Sequence, residues 1–196
     1  MSSLYILPIG EVYAEILKNL EIGLWETLGF DIAYLPKMEQ TDFALDKTRS
    51  QFSSTLILKE MMKRIPHDAV RVLGITENDL FIPMLSFVFG HAQVSGKLAL
   101  ISTARLRQEF YQLPKNDELL FLRTVKEALH ELGHTFGLLH CADTTCAMSL
   151  SNGIQQVDFK KDDYCRDCRI LFNESSKNYK MNGVANFKMS SEKLKL

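Results

Sequence analysis

The residues best suited to chemistry in this chain of 196 residues are two histidines and the glutamate that lies between them. The segment reads His130-Glu131-x-x-His134. On a helix, residues four apart differ by about 40° and rise by about 6 Å, so both imidazoles can hold one ion from one face. Glu131 is rotated by about 100° from the first ligand, where a carboxylate reaches a water on the metal. The pattern predicts a catalytic zinc site with Glu131 as general base.

A third histidine, His140, completes this site only if the helix ends before it. On a continuous helix, His140 would be rotated by about 240° from His134 and would point away from the ion. Gly137 lies between them, and glycine readily adopts the left-handed conformation that ends a helix. We therefore expect His130, His134 and His140 to bind the catalytic zinc, with a water at the fourth, open position.

All four cysteines fall within 28 residues, directly after these histidines; they are Cys141, Cys146, Cys165 and Cys168. Two closely spaced thiol pairs are typical of a closed, tetrahedral structural zinc site. Such a site would be the second zinc of the chain and would supply folding energy where apolar residues are few. Disulfides and free thiols remain alternatives. A nucleic-acid zinc ribbon also uses paired cysteines, but the mixed charges around this cluster disfavour it.

Three further residues have less distinctive settings. Met148, two residues after Cys146, is either ordinary core packing or part of a turn that places its side chain beneath the metal. His67 follows a proline and His91 follows an apolar segment. We expect both histidines to be ordinary polar residues.

The composition is that of one soluble globular domain, with 46% hydrophobic and 24% charged residues. The net charge of −1 gives no general attraction to nucleic acid or acidic membranes. No apolar run approaches the roughly 20 residues of a membrane helix, and Leu4 to Ile9 lacks the flanks of a signal peptide. The expected partner is therefore a peptide or protein substrate, without nucleic acid or membrane, and the expected location is cytoplasmic.

Apolar periodicity predicts how these residues are positioned. Strands are expected at residues 4–9, 31–35, 69–76, 87–89 and 98–102, and helices at 11–28, 53–63 and 118–135. Strands that alternate with helices indicate an α/β fold with a mostly parallel sheet. Residues 36–50 and 138–172 are expected to be irregular, and the lysine-rich residues 173–196 to be a weakly packed tail.

The order of these residues resembles a known family. The run from His130 to His140, with Gly137 three residues before its end, resembles the metzincin zinc motif. The four cysteines and Met148 that follow resemble the archaemetzincins in particular. Residues 72–76, 87–90 and 101–106 are similar to strands of that family, whereas nothing similar is found in residues 173–196.

The resemblance implies a compact metzincin-like (zincin) α/β fold. It would have a twisted, mixed and mostly parallel sheet, a long zinc-binding helix and a small irregular C-terminal subdomain stabilised by zinc. Residues 1–172 would form a single catalytic domain, with an upper part (1–137) and a lower part (138–172) that carries the four-cysteine zinc loop. Met148 would make the Met-turn. Some other metzincins have a tyrosine two residues after that methionine; here the position is Leu150, so the oxyanion partner is unassigned.

These features favour a zinc-dependent peptidase in which zinc-activated water attacks the peptide bond. Leu85 to Gly90 is the best candidate for an edge strand to which a peptide substrate could add as a further strand. The main alternative is a non-catalytic, zinc-stabilised module that binds peptides, although such a module has no use for Glu131. A nucleic-acid adaptor and a hydrolase of another amide or ester are further alternatives.

Overall fold

The computed structural model describes residues 3–39 and 41–192, with side chains as far as Tyr179. The strands are β1 Ser3–Ile9, β2 Ile32–Tyr34, β3 Leu45–Asp46, β4 Gln51–Ser53, β5 Ala69–Thr76, β6 Leu80–Phe81, β7 Gly90–Ala92 and β8 Leu98–Ser102. The helices are α1 Ala14–Leu28, α2 Ser54–Met61, α3 Asp117–Thr135, α4 Ile154–Phe159 and α5 Arg166–Glu192. Single 3₁₀ turns lie at Asp42–Ala44, Met62–Arg64 and Gln108–Tyr111.

The main sheet has the strand order β2-β1-β5-β8-β7. Its first four strands are parallel, and β7 is antiparallel to β8 at the edge. Every residue of β5 and β8 is buried, because helices cover both faces, as is usual for parallel strands. The fold is therefore the mixed, mostly parallel α/β arrangement that the sequence predicts.

Two apolar clusters fill the two sides of this sheet. The larger contains α1 and α3, with Leu20, Leu24 and Leu129 among its fully buried residues. The smaller lies under α2 and includes Ile57 and Met61. Helix α3 is consequently fixed against the sheet by its apolar face, and its polar face is free to carry the candidate ligands.

Two predictions about the N-terminal half were wrong in detail. The edge strand is Gly90–Ala92 rather than residues 87–89, because pairing to β8 begins only where Gly90 faces Ile101. Residues 36–50 are not all loop, since a 3₁₀ turn and the short strand β3 lie within them. Strand β3 joins β4 and β6 in a small second sheet.

The C-terminal part is more helical than expected. Residues 138–153 are irregular as predicted, but α4 and α5 occupy much of the rest. The first residues of the expected tail, 173–179, lie in α5, where Ser176 is buried and Tyr179 packs against the core. Residues 193–196 of that tail lie outside the described residues. No described helix combines the length and the apolar character needed to cross a bilayer.

Candidate active site

Helix α3 positions two of the candidate ligands. Its N-terminus is capped by Asn116, whose side chain accepts a hydrogen bond from the Leu119 amide at 2.9 Å. Asp117 and Glu118 in the first turn complement the helix dipole. Near the other end, His130 is buried and His134 is partly buried. Both imidazoles lie on a helix that is fixed at its start and along its apolar face.

The helix ends at the predicted place. Gly137 has a φ of 89°, and the amide of Leu138 donates to the carbonyl of Gly133 at 3.0 Å. This is the hydrogen-bond pattern of a helix that terminates at a left-handed glycine. The chain then reverses and brings the His140 ring to 5.0 Å from that of His134, measured between ring centroids.

The three histidines fit a tetrahedral zinc ion. The Nε2 atoms of His130 and His134 are 3.2 Å apart, close to the roughly 3.4 Å expected for two nitrogens on one tetrahedral zinc. The Nδ1 atom of His130 lies 2.9 Å from the Ala147 carbonyl, and that of His134 lies 2.8 Å from the Leu138 carbonyl. Because each Nδ1–H donates to a carbonyl, each Nε2 lone pair is directed at the ion position.

Burial keeps these imidazoles in the form that binds metal. It lowers the pKa of His130 well below the usual value, and the nearby Lys160 charge acts in the same direction. Burial also lowers the pKa of His134 and of His140. Neutral imidazole is the ligand form, so the histidines are prepared for a cation near neutral pH.

The side chain of Glu131 extends from α3 toward the edge strand β7. Its side chain is packed so tightly against Gly90 that a Cβ added there would lie 2.6 Å from Oε1. Burial raises the pKa of Glu131 well above the usual value, and the neighbouring Glu127 raises it further. A buried carboxylate with a raised pKa beside a metal site has the properties of a general base.

A cleft of about 780 Å³ runs over these residues. One wall is the edge strand β7 with the segment that precedes it, and the opposite wall is residues 150–152. Eight of the eighteen residues that line the cleft are apolar, and they are Leu85, Phe87, Val88, Phe89, Ala92, Val94, Leu139 and Leu150. A channel that is open to solvent, apolar and bordered by a sheet edge suits an extended peptide.

The four cysteines form the second predicted cluster. Their Sγ atoms all lie within 4.8 Å of one another. The Sγ atoms of Cys141 and Cys165 are 3.8 Å apart, about the separation of two thiolates on one tetrahedral zinc. That distance is far longer than the roughly 2.05 Å of a disulfide. The Cys146 Sγ also accepts the amides of Met148 and Cys165, at 3.4 and 3.2 Å. The geometry favours a metal site over disulfides.

Met148 is fully buried and lies against α3. Its thioether contacts Gly133, where an added Cβ would meet the Met148 methyl group at 3.2 Å and the Tyr164 hydroxyl at the same distance. Gly133 precedes the candidate ligand His134, so the Met148 side chain packs against the turn of α3 that carries His134. A Met-turn, which the resemblance implies for Met148, would need this packing.

Several residues of the site were not singled out by the sequence. Glu127 lines the cleft, and Lys160 is buried beside Glu127 and His130. Glu127 precedes Glu131 by four residues, and that helical spacing could have indicated a second carboxylate on the same face. His91 also lies in the cleft wall, where its Nδ1 is 2.9 Å from the Ser54 hydroxyl.

Comparisons with known proteins agree with this geometry. The model of peptidase family M54 matches residues 13–174. An archaemetzincin from Methanocaldococcus jannaschii is 48% identical over 163 residues, which cover 83% of this chain and 88% of that protein.

Two solved structures are similar over most of the chain. The crystal structure of archaemetzincin from Methanopyrus kandleri has a TM-score of 0.77 and 35% identity, and the match covers 89% of this chain and 96% of that one. The zinc-dependent peptidase from Methanocorpusculum labreanum has a TM-score of 0.79 and 27% identity, with 87% and 100% covered.

Proposed function

Since the chain belongs to peptidase family M54, the family of the archaemetzincins, and is a zinc-dependent metallopeptidase, we propose that its three clustered histidines hold the catalytic zinc and that Glu131 is the general base. The observation that carries this assignment is the geometry of the histidines. Two imidazoles come from one helix, a third arrives after the helix has ended, and their ring nitrogens lie within 4.8 Å of one another.

The hydrolytic step follows from the positions of these side chains. A zinc ion held by His130, His134 and His140 would polarise the scissile carbonyl and lower the pKa of a water molecule toward about 7. Glu131 takes the proton of that water and delivers it to the leaving amine. Burial raises the pKa of Glu131 above its usual value, which makes the carboxylate a better proton acceptor than an exposed one.

The substrate is a peptide, and we propose that it lies extended along β7. The strand Gly90–Ala92 is at the edge of the main sheet, and a peptide added there would place its backbone over Glu131. The apolar residues along the edge-strand side of the cleft, together with Leu139 and Leu150, would receive its side chains. The edge strand lies at Gly90–Ala92, which is nearer the C-terminus than the segment 85–90 that the sequence suggested.

We assign a second, structural zinc to Cys141, Cys146, Cys165 and Cys168, which gives two zinc ions per chain. The thiol separations support this assignment, as does the irregular backbone between residues 138 and 153. Met148 then makes the Met-turn. We propose that residues 1–137 form the upper part of one catalytic domain and residues 138–172 its lower part. Helix α5 begins within the lower part and extends beyond it.

The proposed setting is a reducing compartment, the cytoplasm, because four unpaired thiols near one another persist there as metal ligands. The net charge of −1 supports a peptide or protein partner over nucleic acid or an acidic membrane.

The assignment of Glu131 is tested by Glu131→Gln, which removes the base without changing the volume of the side chain. We expect both zinc ions and the fold to remain and peptide turnover to fall by roughly 10²-fold or more. Glu118→Gln, an exposed position on the same helix, is the matched control. Zinc is counted by mass spectrometry and hydrolysis is followed with a peptide library.

Unchanged hydrolysis in Glu131→Gln would falsify the assignment of the base. A wild-type protein that binds peptides at the cleft without cleaving any member of the library would instead favour the non-catalytic binding module for this chain.

A further inference from the structure

A buried lysine lies directly beneath the proposed catalytic site. The Lys160 side chain is 1% exposed, and its Nζ is 3.2 Å from Oε1 of Glu127, whose side chain is 3% exposed. The same Nζ is 3.5 Å from Nδ1 of His130. A buried ammonium group beside a ligand that is expected to hold another cation is electrostatically unfavourable, so its presence there calls for a physical reason.

The position of Lys160 is fixed by its surroundings. It follows α4, and α3 holds the end of that helix in two ways. Arg123 makes a paired contact with Asp158, at 2.6 and 2.7 Å. Lys126 donates to the carbonyls of Val157 and Asp158. On the other side, the Lys161 amide donates to the Thr145 carbonyl at 2.8 Å. The backbone on both sides of Lys160 is therefore held in place.

Glu127 supplies the reason for a buried cation. It precedes Glu131 by one helical turn and lines the same cleft, so two carboxylates face the floor of the site. Burial raises the pKa of Glu127, and the Lys160 charge opposes that rise. The His130 Nδ1–H already donates to the Ala147 carbonyl. The Lys160 ammonium group therefore donates its hydrogen bond to Glu127. The His130 imidazole is close to Lys160 but does not accept a hydrogen bond from it.

We propose that Lys160 is a positioning residue that holds the Glu127 carboxylate against the protein, away from the ion and Glu131, and balances its charge. The inference rests on the proposed function, because it concerns the histidine site as a metal centre. Without Lys160, Glu127 would lose its hydrogen-bond donor, and its carboxyl group would be free to turn toward the open position and join the ligands of a divalent cation. Without Glu127, the unbalanced Lys160 charge would repel the ion.

This pair therefore predicts effects of opposite sign on cation binding. Lys160→Met should tighten binding at the histidine site by about tenfold and lower peptide turnover, whereas Glu127→Gln should weaken binding by about tenfold. The double variant should return close to the wild-type affinity, because both charges are then absent. Lys160→Arg should restore wild-type behaviour, since it keeps the charge and can still donate to Glu127.

The experiment is a titration with Co²⁺ of protein that keeps its structural zinc and whose histidine site has been emptied with a chelator, with hydrolysis measured separately on zinc-loaded protein. Thiolate ligands give cobalt intense charge-transfer absorption that imidazole ligands lack, so the two sites are read separately. Lys161→Met, at the exposed neighbouring lysine, is the matched control and should bind Co²⁺ like the wild type.

Each outcome decides the matter. The proposal that the two charges balance each other is supported by three results together. Co²⁺ binds more tightly to Lys160→Met, more weakly to Glu127→Gln, and with near wild-type affinity to the double variant. Weakening in both single variants, or unchanged affinity in both, overturns it, because a merely structural role has no reason to give opposite signs. If Lys160→Met does not fold, Glu127→Gln decides alone: it keeps the side-chain volume, and wild-type affinity there overturns the proposal. Absence of Co²⁺ binding at the histidines of the wild type would instead refute the proposed function.

Discussion

The two candidate metal centres are adjacent in sequence but are positioned in different ways. His130 and His134 lie on a capped, 19-residue helix that packs against the main sheet. The cysteines lie on irregular backbone and at the start of α5. The two histidines are placed by main-chain hydrogen bonds and apolar packing, whereas we expect the order of the cysteines to depend on the ion that we assign to them.

The comparison also shows where the two centres are joined. His140 and Cys141 are consecutive, so one peptide unit connects the ligand sets. The carbonyl of Ala147, between Cys146 and Met148, accepts the His130 Nδ1–H at 2.9 Å. The Tyr164 hydroxyl, next to Cys165, donates to the carbonyl of Leu129 at 2.7 Å. Distortion of the cysteine loop should therefore reach the histidine site.

The largest expected effect tests that connection. Cys165→Ser should remove about one zinc per chain, disorder the loop around residues 141–168, and weaken catalytic zinc or activity by roughly 10- to 100-fold. Metal analysis, hydrolysis at saturating zinc and proteolytic nicking of the loop report the three effects.

His134→Ala is the matched comparison, because it should also lose one zinc but leave the loop resistant to proteolysis. Two zinc ions retained in Cys165→Ser would refute the four-cysteine site. One zinc lost with activity and loop order intact would refute only the connection between the centres.

A second prediction addresses the packing between α3 and the lower part. Gly133→Ala should lower the free energy of unfolding by about 1–3 kcal/mol, because the new methyl group would overlap Met148 and crowd Tyr164. Gly153→Ala is the control, since an added Cβ there meets nothing within 4 Å. Denaturant unfolding of the two variants measures the difference. Equal stabilities would show that Met148 moves aside without cost and that the contact does not hold the helix.

A third prediction concerns the histidine side alone. Gly90→Ala should displace the Glu131 carboxylate, because the added Cβ would lie 2.6 Å from Oε1. We expect turnover to fall by about tenfold, since small misplacements of a catalytic group are costly, while both zinc ions remain. Steady-state kinetics and metal analysis provide the measurement, with Gly153→Ala again as the control. Wild-type turnover in Gly90→Ala would mean that the β7 backbone moves to make room for the methyl group and that Glu131 keeps its position.

The smallest expected effect concerns the attachment of α5. The Arg71 guanidinium lies over the Phe136 ring at 4.0 Å and over the Tyr179 ring at 5.1 Å. It also donates to the carbonyl and hydroxyl of Thr135, the last residue of α3. Tyr179→Leu should cost about 0.5–1 kcal/mol, because the cation–π contact is lost while apolar packing is largely kept. Thermal unfolding measures the loss of stability in Tyr179→Leu. An unchanged stability would support the original prediction that the chain from residue 173 onward is weakly packed.

Much of the site could be predicted because its residues are close in sequence. Ligand spacing and Gly137 predict the turn of the chain without knowledge of the fold. The bounds of β5 were predicted correctly from its mostly β-branched and apolar residues, although Arg71 interrupts them. The edge strand could not be predicted in the same way. Phe87, Val88 and Phe89 have the apolar character of a strand, but pairing to β8 begins at Gly90, and pairing is not visible in a single segment.

Helix α5 was missed for a different reason. Phe172, Ser176 and Tyr179 recur at helical spacing, but the middle one is polar, and the surrounding lysines and serines have the composition of a tail. The Glu127–Lys160 pair was missed because its partners are 33 residues apart and meet only through tertiary packing. Long-range charge pairs of this kind need the fold before they can be recognised.

The aromatic cluster behind the zinc-binding turn has a consequence for how the protein is made. Phe136 stacks on Phe30 from the N-terminal region, with ring centroids 5.8 Å apart, and meets Phe172 of α5 edge-on at 4.9 Å. Phe172 is translated after every proposed ligand. When the sheet and α3 have been synthesised, the chain already contains Glu131, His130 and His134. It does not yet contain Phe172, which packs behind the turn. The turn between His134 and His140 therefore gains its packing from behind only after residue 172 has been synthesised.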